Sequence, residues 1–196
     1  DAILHLGTLL AIIIYFRKDL ARLIYALFNR ENDPDYHRLA WHIGWASFPA
    51  GIIGLFWGDV IEQELRNPTF VAWNLLFWSF VFFAAERYSA NQKSTEPNIA
   101  RMTLGQVLFI GFAQAIALLP GTSRSGITIS GGLLANLSPA TAARFSFLLG
   151  TPIILAAGAY KTLHLLPSSI DSVHLSNSQL GIGLFVSFVV GYLSIK

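Results

Sequence analysis

Long apolar runs separated by short polar stretches dominate the chain. Six of them approach the roughly 20 residues that a helix needs to cross a hydrocarbon layer. They are residues 2–16, 41–57, 70–85, 104–119, 145–160 and 180–195. A seventh run, 127–137, contains two adjacent glycines and is too short to span about 30 Å at 1.5 Å per residue. The pattern predicts an all-α polytopic membrane protein that includes one half-helix.

Composition agrees with a membrane environment. Of the 196 residues, 54% are hydrophobic and only 12% are charged, about half of the ~25% found in soluble domains. The chain has no cysteine, which excludes disulfides, thiolate metal sites and a cysteine nucleophile. The net charge is only +2 and the basic residues are scattered among apolar runs. We therefore expect membrane lipid, and no nucleic acid, as a partner.

The distribution of lysine and arginine predicts the orientation of the spans. Stretch 17–38 holds five basic residues and stretch 86–103 holds three, whereas 58–68 and 161–179 hold one each. Basic loops stay in the cytoplasm. The first two stretches are therefore predicted to be cytoplasmic loops and the other two to be outer loops.

This orientation leaves residues 104–137 with both ends on the cytoplasmic side, because the span at 145–160 must then run outward. Such a segment enters the membrane and returns, and we predict a re-entrant hairpin whose tip is 120–126. We expect residues 1–196 to form a single integral membrane domain that contains this hairpin.

Two short patterns recur along the chain. Leu6-Gly7-Thr8 reappears as Leu149-Gly150-Thr151, and the Ser-Phe-x-x-Gly pattern at 47–51 reappears at 187–191. The predicted orientations of the two copies are opposite, which is typical of an inverted-topology repeat. Chance similarity among apolar segments is the alternative. A true repeat predicts a partner hairpin before Asp1 and a further span after Lys196, so that the chain is a fragment.

Arg124 is the residue whose position demands an explanation. An arginine at membrane depth costs at least ~2.5–3.5 kcal/mol unless it is paired or hydrated. Glycines around it allow close approach of backbone N–H groups, and the N-terminus of a half-helix favours phosphate. The surrounding candidates for binding a phosphate group are Gly121, Thr122, Ser123, Ser125, Gly126 and Thr128.

Two alternatives accompany this interpretation. The segment could be a simple helix break in which the hydroxyls cap backbone groups and Arg124 pairs with a carboxylate. No Asp or Glu lies between Glu96 and Asp171 to provide that partner locally. Gln114 precedes the loop by six residues, and it either donates to the site or joins two membrane helices through a hydrogen bond.

A resemblance to a known family becomes specific at this motif. Residues 111–132 read GFAQAIALLPGTSRSGITISGG and resemble the PGxSRSxxT signature of the undecaprenyl-diphosphate phosphatase family, the bacitracin-resistance type. Residues 2–11 and 145–152 are similar to other segments of that family, and the likeness covers nearly the whole chain. It implies a phosphoric anhydride hydrolase that converts undecaprenyl diphosphate into the monophosphate carrier for cell-wall synthesis. The implied location is the bacterial cytoplasmic membrane, with the site on the outer side.

The resemblance also assigns roles within the motif. It implies that Arg124 and Ser123 are catalytic and that Ser125 and Thr128 are neighbouring ligands of the diphosphate. The family's ExxxE motif and its Ser/His loop are absent from this sequence. We therefore expect the nucleophile and the acidic ligands of a divalent cation, Mg²⁺ or Ca²⁺, to lie outside these 196 residues, and the fragment alone to be inactive.

Other functions remain open at the level of the sequence. An inverted repeat is common among secondary carriers, so a transporter or flippase of an anionic lipid or solute is the main alternative. A helical scaffold without a ligand is the third. A homodimer is also compatible with the sequence.

Overall fold

The computed structural model of the protein describes residues 2–91, 98–169 and 177–195, and within these ranges the chain is helical. The α-helices are α1 (Ala2–Tyr15), α2 (Arg17–Phe28), α3 (Pro34–Leu65), α4 (Pro68–Ala90), α5 (Leu104–Ile116), α6 (Arg124–Leu134), α7 (Pro139–Ser169) and α8 (Asn177–Ile195). A short 3-10 turn at Ile99–Arg101 precedes α5. The predicted all-α class is confirmed.

Three helices in the described ranges are long and apolar enough to cross a membrane. They are α3, α4 and the part of α7 from Pro139 to Gly158. Shorter apolar helices occur at Leu6–Tyr15, Leu104–Ile116 and Gly181–Ile195. The chain is therefore a multi-pass membrane protein, as the apolar runs predicted.

The chain divides into two compact units. Asp1–Ala21 and Thr151–Lys196 form the first, in which α1 packs against α8. Gly7 permits this close packing, because a Cβ atom there would lie only 2.6 Å from the carbonyl oxygen of Leu184. Gly191 also packs against α1, where a Cβ atom would lie 3.3 Å from the Cβ of Ala11. Small residues at such contacts are typical of membrane helix pairs.

The second unit, Arg22–Gly150, contains a hairpin formed by α5 and α6. The two helices have 13 and 11 residues, so each is shorter than a ~30 Å hydrocarbon layer at 1.5 Å per residue. The half-helix predicted at 127–137 is present, with its bounds shifted to Arg124–Leu134. Its re-entrant placement in a membrane stays a prediction.

Local signals at both open ends of the hairpin explain its bounds. Thr103 and Gln106 form a capping box at the start of α5, which satisfies free N–H groups of the first turn. Asn136 adopts a φ of 62° after the end of α6, and the N–H of Leu137 donates to the Gly132 carbonyl at 3.0 Å. This is a Schellman ending. The Gln106 side chain then donates to the Ala135 carbonyl at 2.8 Å and joins the two ends.

Helices α3 and α4 flank the hairpin, since α3 packs against α5 and α4 packs against α6. The approach of α3 to α5 is a backbone contact, because a Cβ atom on Gly111 would lie 2.6 Å from the carbonyl oxygen of Ala46. The hairpin is therefore held on one side through a contact that only glycine permits.

The four predicted loops were wrong in part. The basic stretch 17–38 contains α2 and the first turn of α3, because Leu23 and Ala26 are buried at a three-residue spacing while the charged side chains face outward. The stretch 58–68 is mostly the last turns of α3, so only Arg66 and Asn67 separate α3 from α4. The end of α4 extends into the predicted loop at 86–103, and α7 and α8 extend into that at 161–179. Residues 92–97 and 170–176 lie outside the described residues.

An ion pair closes the turn between α2 and α3. Asp33 caps α3 by accepting a hydrogen bond from the Tyr36 N–H, and its carboxylate also accepts one from the Arg22 guanidinium. The guanidinium lies 3.8 Å from the centre of the Tyr36 ring. The hydrogen bond from Arg22 holds the pKa of the Asp33 carboxyl below its usual range.

This pair predicts a dependence of stability on pH. Because the pKa of Asp33 is lower in the folded state than the unfolded value of about 3.9, its ionised carboxylate stabilises the fold at neutral pH. That contribution is lost as the pH falls below about 4 and through the folded pKa. Asp33→Asn keeps a good capping residue but removes the charge. We expect it to lower the melting temperature at neutral pH, and the difference to disappear in acid.

The matched control is Asp59→Asn, which removes another carboxylate of α3. The melting temperature of this variant should follow that of the parent protein at every pH. Equal losses in the two variants would mean that the Asp33–Arg22 pair has no specific role.

Candidate functional site

The motif segment 120–128 folds as a loop followed by the first turn of α6. Ser123 caps this helix, because its hydroxyl oxygen accepts a hydrogen bond from the Gly126 N–H at 3.2 Å. Arg124 is the first helical residue. The N–H groups of Arg124 and Ser125 come before the intrahelical hydrogen bonds begin, and such free N–H groups make a helix N-terminus attractive to anions.

Gly121 shapes the loop before the helix. Its φ is +90°, a left-handed conformation that L-residues with a side chain rarely adopt. A Cβ atom there would also lie 2.8 Å from the carbonyl oxygen of Val71 on α4. Gly121 thus allows a close approach, as predicted, but the group that approaches it is the backbone of α4. Contact of Gly121 with a ligand stays a prediction.

Asn74 ties the same loop to α4. Its side-chain amide donates to the Pro120 carbonyl at 2.8 Å and to the Thr122 hydroxyl at 2.7 Å. Thr122 is therefore positioned through its hydroxyl. Sequence reasoning missed Asn74, although an asparagine inside the apolar run 70–85 is a polar residue at membrane depth and so a signal of function.

Arg124 is half-buried at the start of α6. None of the hydrogen bonds or ion pairs among the side chains that the structure describes involves its guanidinium. The alternative in which Arg124 pairs with a carboxylate has no support within those residues. A charged group within an apolar region needs an anionic partner or water. Since no described side chain provides that partner, the guanidinium is available to a ligand.

The serines on either side of Arg124 are exposed. The Ser123 oxygen is occupied by the cap, so its hydroxyl hydrogen can still be donated to a ligand. Ser125 makes no side-chain hydrogen bond within the described part of the chain. Gly126 leaves space beside Ser123, since a Cβ atom there would approach the Ser123 oxygen to 3.1 Å.

Thr128 lies deeper than the other residues of the motif. It is buried, and its hydroxyl donates to the Arg124 carbonyl at 2.8 Å. The hydroxyl of Ser146 on α7 makes a further hydrogen bond with it. These bonds support a positioning role at the first turn of α6. Direct contact between Thr128 and a substrate stays a prediction.

Gln114 is the most unusual polar group of the hairpin. Its side chain on α5 is 1% exposed, and neither amide atom has a hydrogen-bond partner within the described residues. The alternative predicted from the sequence, a hydrogen bond from Gln114 to a second helix, is therefore not observed among these residues. A buried amide without a partner costs about 1–3 kcal/mol, so Gln114 remains a candidate for binding the polar part of a ligand.

The groups around Arg124 suit an anion and not a cation. They are a guanidinium, hydroxyls and backbone N–H groups, whereas Mg²⁺ and Ca²⁺ prefer carboxylate and carbonyl oxygens. Groups of three or more His, Cys, Asp or Glu that could hold a metal do not occur among the residues described. The residues present thus do not form the expected cation site, and the cation stays a prediction.

Comparison with known proteins identifies the family. The profile described as "Bacitracin resistance protein BacA" matches residues 1–196. The chain belongs to the BacA family. This agrees with the resemblance found at residues 111–132.

Several curated relatives in this family have the same printed name. The undecaprenyl-diphosphatase of Saccharophagus degradans is 41% identical and is aligned with 100% of this chain and 71% of its own length. The protein of that name in Desulforudis audaxviator is 38% identical, with 100% and 70% covered. The one in Rubrobacter xylanophilus is 40% identical, with 100% and 72% covered.

The role of Asn74 can be tested by Asn74→Ala. The variant loses both hydrogen bonds to the loop, and with about 1 kcal/mol for each we expect the kcat/KM for phosphate release to fall about tenfold or more. The measurement is release of phosphate from undecaprenyl diphosphate by the full-length protein.

The matched control for this test is Asn67→Ala on the same helix. Asn67 caps α4 through a 2.8 Å bond from the Phe70 N–H, so its loss costs about 1 kcal/mol of stability without touching the loop. Its kcat/KM should remain normal at temperatures where it is folded. Equal catalytic losses in the two variants would show that Asn74 acts only through stability.

Proposed function

We propose that this protein is an undecaprenyl-diphosphate phosphatase, which hydrolyses the phosphoric anhydride bond and releases phosphate and undecaprenyl phosphate. The observation that carries the proposal is the guanidinium of Arg124, which lies at the N-terminus of α6 in the segment that matches the family signature and has no partner among the described residues. Membership of the BacA family and the printed names of its relatives support it.

Arg124 suits the diphosphate in geometry as well as in charge. The planar guanidinium binds two phosphate oxygens at once, which lysine cannot do. Arg124 is also the only charged residue in 104–137. Since the surroundings are apolar helices, its interaction with a phosphate is weakly screened and therefore strong.

The chemistry needs positioning and charge stabilisation. In phosphoryl transfer negative charge spreads over the oxygens of the transferred group, and donors aimed at those oxygens lower the barrier. Arg124, the Ser123 and Ser125 hydroxyls and the free N–H groups of the first turn supply such donors. Asn74 and Thr128 hold the loop and the helix start in place.

The rest of the substrate fits a membrane site. The polyprenyl chain can stay among apolar helices while the diphosphate reaches the loop. The orientation predicted from the basic residues makes both ends of the hairpin cytoplasmic and puts its tip at membrane depth. The family resemblance implies that the site opens to the outer side of the bacterial cytoplasmic membrane. A divalent cation would require acidic ligands from outside these residues.

The direct test is reconstitution of the full-length protein in proteoliposomes with undecaprenyl diphosphate. We expect release of one phosphate per lipid molecule. Movement of the lipid or of an anionic solute across the membrane without phosphate release would instead favour the transporter or flippase alternative. If the protein neither hydrolyses nor transports the lipid and does not bind it, the helical scaffold would be the remaining alternative.

A further inference from the structure

A second polar site lies at the N-terminal end of α3, formed without any residue of the 120–128 motif. It is a cleft of about 470 Å³. Its lining combines basic, histidine and tryptophan side chains: Arg30, Pro34, Asp35, His37, Arg38, Trp41, His42, Trp45 and Leu104. The function proposed above uses none of these residues.

The cleft has a net positive charge. The lining contains two arginines, Arg30 and Arg38, and one carboxylate, that of Asp35. Arg38 is fixed in place, because it donates to the Ala100 carbonyl at 2.7 Å and lies 3.5 Å from the Asp35 carboxylate. Arg30 makes no side-chain hydrogen bond or ion pair with the residues that the structure describes. Its charge is therefore available to an anion.

Each histidine of the cleft has a ring nitrogen that makes no hydrogen bond with the described residues. His42 is only 8% exposed, and its Nδ1 has no hydrogen-bond partner among the described residues. His37 donates through Nδ1 to the Ala26 carbonyl at 2.8 Å, which leaves its other ring nitrogen for a further partner. A buried ring nitrogen without a partner is unfavourable unless a ligand or water satisfies it.

The tryptophans connect the cleft to an apolar surface. Trp41 and Trp45 are one helical turn apart and are 55% and 53% exposed. The Trp45 ring contacts that of Phe48, which is 59% exposed and one turn further along α3. Exposed tryptophans mark the boundary between the hydrocarbon and the headgroups of a membrane. The strip from Trp41 to Phe48 therefore leads from a positive cleft toward the lipid chains.

We propose that this cleft binds the phosphate headgroup of an anionic phospholipid, with an acyl chain along the strip from Trp41 to Phe48. The basic side chains face the phosphate and the buried histidine offers a further polar contact. Because the stretch 17–38 is basic, the orientation rule places this lipid in the cytoplasmic leaflet, away from the predicted outer face of the Arg124 site.

The test measures the binding of phosphatidylglycerol to the full-length protein in detergent micelles by native mass spectrometry. Arg30→Gln removes an exposed charge that has no partner in the described part of the chain, so the variant should fold normally. Because this variant loses a charge-assisted hydrogen bond to the phosphate, we expect the dissociation constant for phosphatidylglycerol to rise about tenfold or more. The constant for phosphatidylcholine should change less, because its own choline ammonium neutralises the charge of its phosphate.

The matched control is Arg17→Gln on α2, which removes one positive charge from the same predicted face but does not line the cleft. Its phosphatidylglycerol affinity should equal that of the parent protein. An equal loss in both variants would overturn the proposal in favour of general surface attraction.

A competition arm distinguishes a lipid from free phosphate. Millimolar inorganic phosphate should not displace phosphatidylglycerol, because phosphate lacks the acyl chain that contacts Trp45 and Phe48. Trp45→Ala should weaken binding of the lipid. If inorganic phosphate displaces the lipid completely and Trp45→Ala has no effect, the cleft is a site for free phosphate and the lipid proposal is wrong.

Discussion

Replacement of Arg124 by alanine is expected to reduce phosphate release from undecaprenyl diphosphate by a factor of about 10²–10³ or more, the loss typical of one donor to a developing negative charge. The guanidinium is the only charged group of the hairpin and has no partner among the residues described. The measurement is kcat/KM in proteoliposomes at constant protein content. Arg124→Lys should retain part of the activity, since it keeps the charge but loses the two-pronged geometry.

The matched control is Arg66→Ala between α3 and α4. Arg66 pairs with Glu62 on the surface, and exposed pairs contribute about 0–1 kcal/mol to stability. Its activity should therefore stay near that of the parent protein. If Arg124→Ala also retained normal turnover, Arg124 would not belong to the active site.

Gly121→Ala is expected to destabilise the protein strongly and to abolish activity. A side chain at a φ of +90° costs about 1–2 kcal/mol. Overlap of the new Cβ atom with the backbone of Val71 adds about 1–3 kcal/mol. The loop can avoid the overlap only by moving away from α4, which breaks the hydrogen bonds from Asn74. The measurements are the thermal unfolding midpoint and phosphate release.

Gly51→Ala is the control for this substitution. Gly51 lies inside α3, and nothing lies within 4 Å of the position its Cβ would occupy. Alanine is a better helix former there by roughly 0.5–1 kcal/mol. We expect normal activity and an unchanged or higher midpoint. A Gly121→Ala protein with the same behaviour would refute the structural role given to Gly121.

Local signals were enough to predict the half-helix and to single out Arg124, whereas the re-entrant placement of the hairpin stays a prediction. The run at 127–137 is too short to span a membrane, and α6 is a half-helix of 11 residues. Arg124 stood out because it is a charge within an apolar region, and the structure leaves its guanidinium free among the described residues. Both inferences depend only on the energetics of helices and charges in lipid.

Features that depend on distant contacts could not be predicted. Asn74 is hydrogen-bonded to Pro120, which is 46 positions away in the chain. The hydroxyl of Thr128 is hydrogen-bonded to that of Ser146 on α7. Helix α2 was missed for a different reason. Its stretch is rich in charged residues and contains no long apolar run, and its buried residues are only Leu23 and Ala26.

The length of α3 has a consequence for the membrane itself. Its 32 residues extend about 48 Å at 1.5 Å per residue, whereas the apolar part between Trp41 and Trp57 measures only about 26 Å on the same rise. Tryptophans at the two ends of that part fix its depth, so a thin bilayer matches the protein best. In a thicker bilayer the mismatch must be relieved by a change in helix tilt or by deformation of the lipid. Because α3 contacts the hairpin through Ala46 and Gly111, we expect a change in the tilt of α3 to alter the packing of the hairpin that carries the site.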